Sequence, residues 1–247
     1  MDTPIATIDK PGYHRWIRVE PVAGAVLAML EDDLHCLGVI LRHDSAVVTG
    51  IDAVADRLPW DTCPGAAAKL VATFTGLPLA EVTARRDKKS NCTHFHDLAV
   101  LAAAHARDDA PLAFDIVATD PEDGIRLLEI RRNGEPVHNW TERDGTLCDP
   151  AALAGLSLLT LRDHIAALSG IEQEAARLLQ WASLVAHGRT MPDHLQSRAS
   201  DLPANCYTLQ PERAASAQRV GRTADFSAGT RVPLAGFGET MRARLTG

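Results

Sequence analysis

The chain has 247 residues, of which 46% are hydrophobic and only 4% aromatic, a size that suits one large domain or two small ones. Its 25 Lys and Arg against 32 Asp and Glu leave a formal net charge of −7, so we expect no nucleic-acid or membrane partner. No apolar run has the length of a membrane span, and residues 1–10 lack the pattern of a secretory signal. Five cysteines do not suggest a disulfide framework. We therefore expect a cytoplasmic protein with free thiols.

The first third of the chain has the pattern of β structure. Residues 14–22 mix polar with β-branched and aromatic residues, and residues 25–30 form a short apolar run. Residues 37–42 and 46–51 flank the turn-forming sequence His43-Asp44-Ser45, which predicts a hairpin. Three or four antiparallel strands are the simplest prediction.

Helical periodicity follows the strands. Cys63 takes the cap position and Pro64 the first position of a helix over residues 66–75, which ends at Gly76. A second helix is predicted from about Cys92 to Arg107, after a basic loop.

After Pro111 the pattern alternates again. Residues 112–119 and 125–132 are predicted strands, and Asn133-Gly134 turns the chain into a third strand that ends near Trp140. Residues 150–188 have helical spacing, while the chain from Thr190 onward is polar and rich in Pro and Gly.

These elements predict an α+β fold in which helices pack on an antiparallel sheet. We expect a core domain over residues 1–149, a helical segment packed on it over residues 150–190, and an extended polar tail over residues 191–247.

Reactive side chains gather in three short stretches, at the ends of predicted strands or the starts of predicted helices. These stretches are residues 31–36, 57–64 and 91–97. The free N–H groups at a helix start stabilise a thiolate, so the pKa values of Cys63 and Cys92 are expected to be low. The alternative is that each is a small buried hydrophobic residue.

The third stretch allows two kinds of chemistry. His94 and Asp97 are three residues apart, so His94 can act as a general base that Asp97 orients. Cys92 and His96 are four residues apart and can share a metal ion. The alternative is that His94 caps the helix while Asp97 pairs with a cation of the loop.

Other residues complete the predicted site. Asp33 and His35 form a second proton carrier, against the alternative that the acidic stretch is a solvated turn. Arg57 is a predicted substrate-binding residue, and Trp60 and Phe95 are predicted apolar walls, although a core role is the ordinary one for such side chains.

The chain resembles a bacterial family of unknown function, the one numbered 2889. The resemblance covers most of the chain and rests on Glu31-Asp32-Asp33-Leu34-His35, Arg57-Leu58-Pro59-Trp60 with Cys63, and Cys92-Thr93-His94 with Asp97-Leu98. A weaker likeness lies in Asn205-Cys206-Tyr207 and Gln210-Pro211. The family name implies no activity. Relatives often carry a second histidine after His35, where this chain has Cys36.

Residues 15–107 are also similar, more distantly, to the iron–sulfur cluster scaffold proteins, whose three cysteines bind zinc or a nascent cluster. Cys36, Cys63 and Cys92 fall in the corresponding order, so this resemblance implies a scaffold-like fold in the N-terminal half and three metal ligands. The β segment from Leu112 and the helices after Pro150 would be additions to that core.

Three functional hypotheses follow. The first is a homodimeric enzyme that acts on a small hydrophobic or aromatic catabolite by acid–base chemistry, as a lyase or hydrolase, because no cofactor-binding motif is present. The second is a protein that binds zinc, another divalent metal or an iron–sulfur cluster. Its ligands would be Cys63 and Cys92 with one or two of Asp33, His35, Cys36 and His94. The third is a non-catalytic binding module.

Overall fold

A computed structural model describes residues 11–86, 88–190, 198–227 and 231–245. The fold is α+β, with antiparallel strands and several helices, which confirms the predicted class. Among the described residues, no helix combines the length and the apolar character that crossing a bilayer requires. The chain forms two compact units. The one that we call the site unit contains residues 17–112 and the described parts of 192–224 and 233–247.

Four strands form the sheet of the site unit. They are the second half of β1 (Gly12–Val22), β2 (Ala25–Asp32), β3 (Cys36–His43) and β4 (Val48–Arg57), in the order β4-β3-β2-β1. The pairs β2–β3 and β3–β4 are antiparallel. Every residue of β2 is buried. An uninterrupted apolar run such as Ala25–Leu30 is what a strand covered on both faces requires.

Three helices follow these strands in the site unit. They are α1 (Ala66–Phe74), α2 (Leu79–Ala84) and α3 (Thr93–Ala104). α3 packs on β2 and β3, and α1 packs on β4. A short 3-10 helix, Cys63–Gly65, precedes α1, so Cys63 belongs to that turn and is not the cap of α1 as predicted. The six-residue α2 was not predicted, because it is too short to show a helical period.

The second unit holds the first half of β1 and four further strands. These are β5 (Leu112–Thr119), β6 (Ile125–Arg132), β7 (Glu135–Arg143) and β8 (Thr146–Asp149), in the order β1-β5-β6-β7-β8. Two helices, α4 (Arg162–Ala167) and α5 (Gly170–Ala186), follow, and α5 packs on β6 and β7. The four-residue β8 was not predicted.

The C-terminal region differs from the predicted extended tail. Within its described residues it contains α6 (Pro211–Ala214), α7 (Phe237–Ala243) and a 3-10 turn at Ala199–Asp201. α7 packs on β2 and β3 of the site unit, where Phe237 and Met241 join an apolar cluster. The chain therefore divides at other places than the predicted boundaries, because C-terminal residues complete a unit that the N-terminal strands begin.

Candidate metal centre

The site begins at the turn between β2 and β3. Asp32 is the last residue of β2, and its Oδ1 accepts hydrogen bonds from the backbone N–H groups of Leu34 and His35, both at 2.8 Å. The same oxygen lies 3.0 Å from Nδ1 of His35. A short aspartate side chain that binds the backbone two and three residues ahead is a usual way to build such a turn. The turn therefore fixes the His35 ring against the Asp32 carboxylate.

The first turn of α3 supplies a second histidine. His94 lies in that turn, and its Nε2 is 3.8 Å from the other carboxylate oxygen of Asp32, Oδ2. The ring centres of His35 and His94 are 3.8 Å apart. Because α3 packs on β2 and β3, the strand turn and the helix start meet at this point. The Asp32 carboxylate thus lies beside the imidazoles of His35 and His94, which are far from each other in the sequence.

The donor atoms of Asp32, His35 and His94 all lie within 4.8 Å of one another, a spacing at which the three could hold a metal ion. Bonds of about 2.1 Å from zinc to nitrogen or oxygen place neighbouring ligand atoms about 3.0 to 3.4 Å apart. His35 Nδ1 lies 3.0 Å from Oδ1 of Asp32, and His94 Nε2 lies 3.8 Å from Oδ2, the other oxygen of the same carboxylate. Asp32 is fully buried and the two histidines are each 8% exposed. Two imidazoles and one carboxylate suit zinc or iron(II) and leave coordination positions open.

Arg57 holds the turn in place from β4. Its guanidinium donates to the carboxylate of Glu31 at 3.0 Å and to the backbone carbonyl oxygens of Asp32 and His35. The Glu31 carboxylate also accepts the backbone N–H of Leu234. The contacts of Arg57 are therefore those of a residue that positions the turn after β2, whereas its role predicted from the sequence is substrate binding.

The carboxylate beside His94 is Asp32 rather than the predicted Asp97. Both oxygens of Asp97 accept hydrogen bonds from Nζ of Lys88, at 2.9 and 2.7 Å, and His96 lies 3.8 Å away. Burial acts to raise the pKa of Asp97, but the charge of Lys88 overrides it and holds the pKa well below its usual value. Asp97 therefore pairs with a cation of the preceding loop, Lys88, which is the alternative to its predicted role as the residue that orients His94.

Three other predicted site residues, Asp33, Trp60 and Phe95, are buried. Asp33 is fully buried, and its backbone carbonyl oxygen accepts the N–H of Ala224. His35, with which Asp33 is predicted to act, has its Nδ1 3.0 Å from Oδ1 of Asp32. Trp60 packs with Ala199 in an apolar cluster, and Phe95 is 1% exposed. The two aromatic rings are therefore core residues, which is the ordinary role weighed against pocket walls.

The cysteines do not have the predicted low pKa values. Burial is the main cause that raises the pKa of Cys63, and it raises that of Cys92 to about 12. Removal of the thiols from water outweighs the stabilisation that the nearby backbone N–H groups offer. Cys36 lies in the apolar cluster with Met29 and Met241, and burial raises its pKa to about 12 as well. Cys36 is thus a core residue and does not accompany Cys63 and Cys92 as predicted.

Asp32 is the one residue of the candidate centre that the sequence does not predict as a site residue. The sequence predicts His35 and His94, and from the acidic stretch it predicts Asp33. The signal that identifies Asp32 is its spacing of three residues before His35, immediately after an apolar strand, which is the position from which a carboxylate closes a turn.

No protein-family model, curated protein or solved structure matches this chain. The resemblances to family 2889 and to the iron–sulfur scaffold proteins stay predictions.

Proposed function

We propose that this protein is a metal-dependent enzyme in which Asp32, His35 and His94 hold zinc or another divalent cation. The observation that carries the proposal is the convergence of these three buried side chains, with donor atoms within 4.8 Å, from a strand turn and a helix start. Charged and imidazole groups are costly to bury unless they pair or bind a cation. A cation at this position would neutralise the carboxylate and bond to a nitrogen of each ring.

Three protein ligands leave room for water or a substrate oxygen on the cation. A metal in such a site lowers the pKa of bound water toward about 7 and polarises a carbonyl group. Both effects serve hydrolysis or elimination, so we propose a hydrolase or lyase that acts on a small hydrophobic or aromatic compound. A cytoplasmic homodimer remains part of this proposal, as the sequence predicts.

One observation favours a second candidate, a metal-free acid–base enzyme. The contact of 3.0 Å between Asp32 Oδ1 and His35 Nδ1 is the arrangement in which a carboxylate orients an imidazole as a general base. In that case Asp32 orients His35 as the general base. This is the role that the sequence predicts for Asp97 toward His94.

Metal content separates the two candidates. We expect about one equivalent of a divalent metal in the purified protein, and binding of Co²⁺ to the metal-depleted protein with a visible absorption band. His94→Ala should abolish this band, whereas His105→Ala, at the residue that follows α3 and pairs with Asp108, should leave it unchanged. Small aromatic carboxylates should shift the band by occupying an open coordination position. A protein that binds no Co²⁺ at this site would contradict the metal proposal and favour the acid–base candidate.

A further inference from the structure

Two neighbouring residues at the end of β2 face opposite sides of the sheet. Every second residue of β2 from Ala25 to Met29 lies in the apolar cluster that also contains side chains of α7. Side chains alternate along a strand, so Glu31 continues this series on the α7 side, while Asp32 faces His94 on the side of α3. The candidate metal ligand and the residue before it therefore contact different parts of the chain.

The Glu31 carboxylate is bonded at both of its oxygen atoms. Oε1 accepts a hydrogen bond from Nη1 of Arg57 at 3.0 Å, and Oε2 accepts the backbone N–H of Leu234. Glu31 is only 6% exposed, and a carboxylate so buried needs such partners. The carbonyl oxygen of Leu234 in turn accepts the N–H of Gly238 in α7, at 2.9 Å. Glu31 thus joins Arg57 to the segment that carries α7.

The second amino group of Arg57 reaches the candidate metal centre. Nη2 donates to the backbone carbonyl oxygen of Asp32 and, at 3.3 Å, to that of His35. These carbonyl groups belong to the turn in which the Asp32 carboxylate holds the N–H groups of Leu34 and His35. A continuous chain of hydrogen bonds therefore leads from α7 through Glu31 and Arg57 to the backbone of two candidate ligands.

We propose that Glu31 is a positioning residue of the candidate metal centre. Through it, the order of the turn at residues 32–35 depends on the docking of residues 233–245, which we call the α7 segment. The inference rests on the proposed function, in which Asp32 and His35 are ligands. Ligands that are already held in place bind a cation more tightly, because no free energy is spent on ordering them. Release of the α7 segment should therefore weaken metal binding without removing a ligand.

Glu31→Gln tests this link with a side chain of nearly the same size. A carboxamide has one acceptor oxygen, and its NH₂ group only donates, so the bond to Arg57 or the bond to Leu234 must break. Glu20→Gln is the matched control, because Glu20 also binds the α7 segment, but from β1 and through Arg242.

Amide hydrogen exchange measures the order of the turn without any metal. We expect the N–H groups of Leu34 and His35 to exchange at least about tenfold faster in Glu31→Gln than in the wild type. This acceleration should exceed any at the centres of β2 and β3, where exchange reports global unfolding. Glu20→Gln should keep the wild-type rates at both residues. Unchanged exchange in Glu31→Gln, equal acceleration in the core strands, or the same change in Glu20→Gln would overturn the proposal.

Titration with Co²⁺ reports on the centre itself. The affinity should fall at least about tenfold in Glu31→Gln and stay at the wild-type value in Glu20→Gln. Because all three ligands are still present, the absorption band of Glu31→Gln at saturating Co²⁺ should match that of the wild type. A wild-type protein that binds no Co²⁺ would contradict the proposed metal site, while the exchange rates would still decide whether Glu31 orders the turn. Equal Co²⁺ affinity in the wild type and Glu31→Gln would leave the metal site standing and overturn this inference.

Discussion

At the scale of single residues, the candidate centre depends on which acid of Glu31-Asp32-Asp33 faces the histidines. The sequence identifies the acidic stretch and His35 and His94, since imidazoles near a strand end and a helix start are visible as a pattern. It does not identify Asp32, because the choice among three consecutive acids depends on the backbone bonds of the turn. Arg57 fixes that choice from a strand more than twenty residues away.

Asp32→Asn tests this residue directly. The amide oxygen can still accept the N–H groups of Leu34 and His35, so the turn should persist, but the negative charge beside the two imidazoles is lost. We expect the affinity for Co²⁺ to fall at least a hundredfold, with a loss in unfolding free energy of less than about 2 kcal/mol. Asp44→Asn is the matched control, because Asp44 also binds two backbone N–H groups of a turn. Equal Co²⁺ affinity in the two variants would exclude Asp32 as a ligand.

At the scale of elements, the ion pair between Lys88 and Asp97 joins the segment between α2 and α3 to α3 itself. Lys88 is 7% exposed, so an ammonium without this carboxylate would be costly. We expect Asp97→Asn to lower the unfolding free energy by about 1 to 3 kcal/mol at pH 7 and to leave Co²⁺ binding intact. Asp108→Asn, beyond the C-terminal end of α3 and in an exposed pair with His105, should cost less. Loss of Co²⁺ binding in Asp97→Asn would contradict this structural role and support the prediction that Asp97 acts on His94.

The ion pair between Lys88 and Asp97 should also make the unfolding free energy depend on pH. The folded-state pKa of Asp97 lies below its ordinary value of about 3.9, so the stabilisation is complete above that value and is lost as the pH falls through the lower folded-state pKa. The difference in unfolding free energy between wild type and Asp97→Asn should therefore be constant from about pH 7 to pH 5 and shrink below pH 4. Urea unfolding at a series of pH values measures it, and a difference that grew toward acid would contradict the assignment.

At the scale of the whole molecule, the sequence predicts the elements better than their grouping. Periodicity in a short window reveals most strands and the longer helices, because both depend on local alternation of apolar side chains. It cannot reveal that residues 198–224 and 233–245 join the N-terminal strands, since those contacts link positions as far apart in sequence as Glu31 and Leu234.

Gly221→Ala tests how firmly the C-terminal segment is joined to the site unit. The N–H of Gly221 donates to the carbonyl oxygen of Pro59, and a methyl group at Gly221 would lie 2.8 Å from Cα of Pro59 and closer still to the carbonyl oxygen of Leu58. Backbone atoms cannot yield as a flexible side chain does, so we expect a loss of about 1 to 3 kcal/mol in unfolding free energy. Faster proteolysis within residues 198–224 should accompany it. Gly50→Ala, whose added methyl group meets only the Arg42 side chain at 4.0 Å, should change neither. Equal proteolysis of the two variants would mean that this segment is held by contacts other than its approach to Leu58 and Pro59.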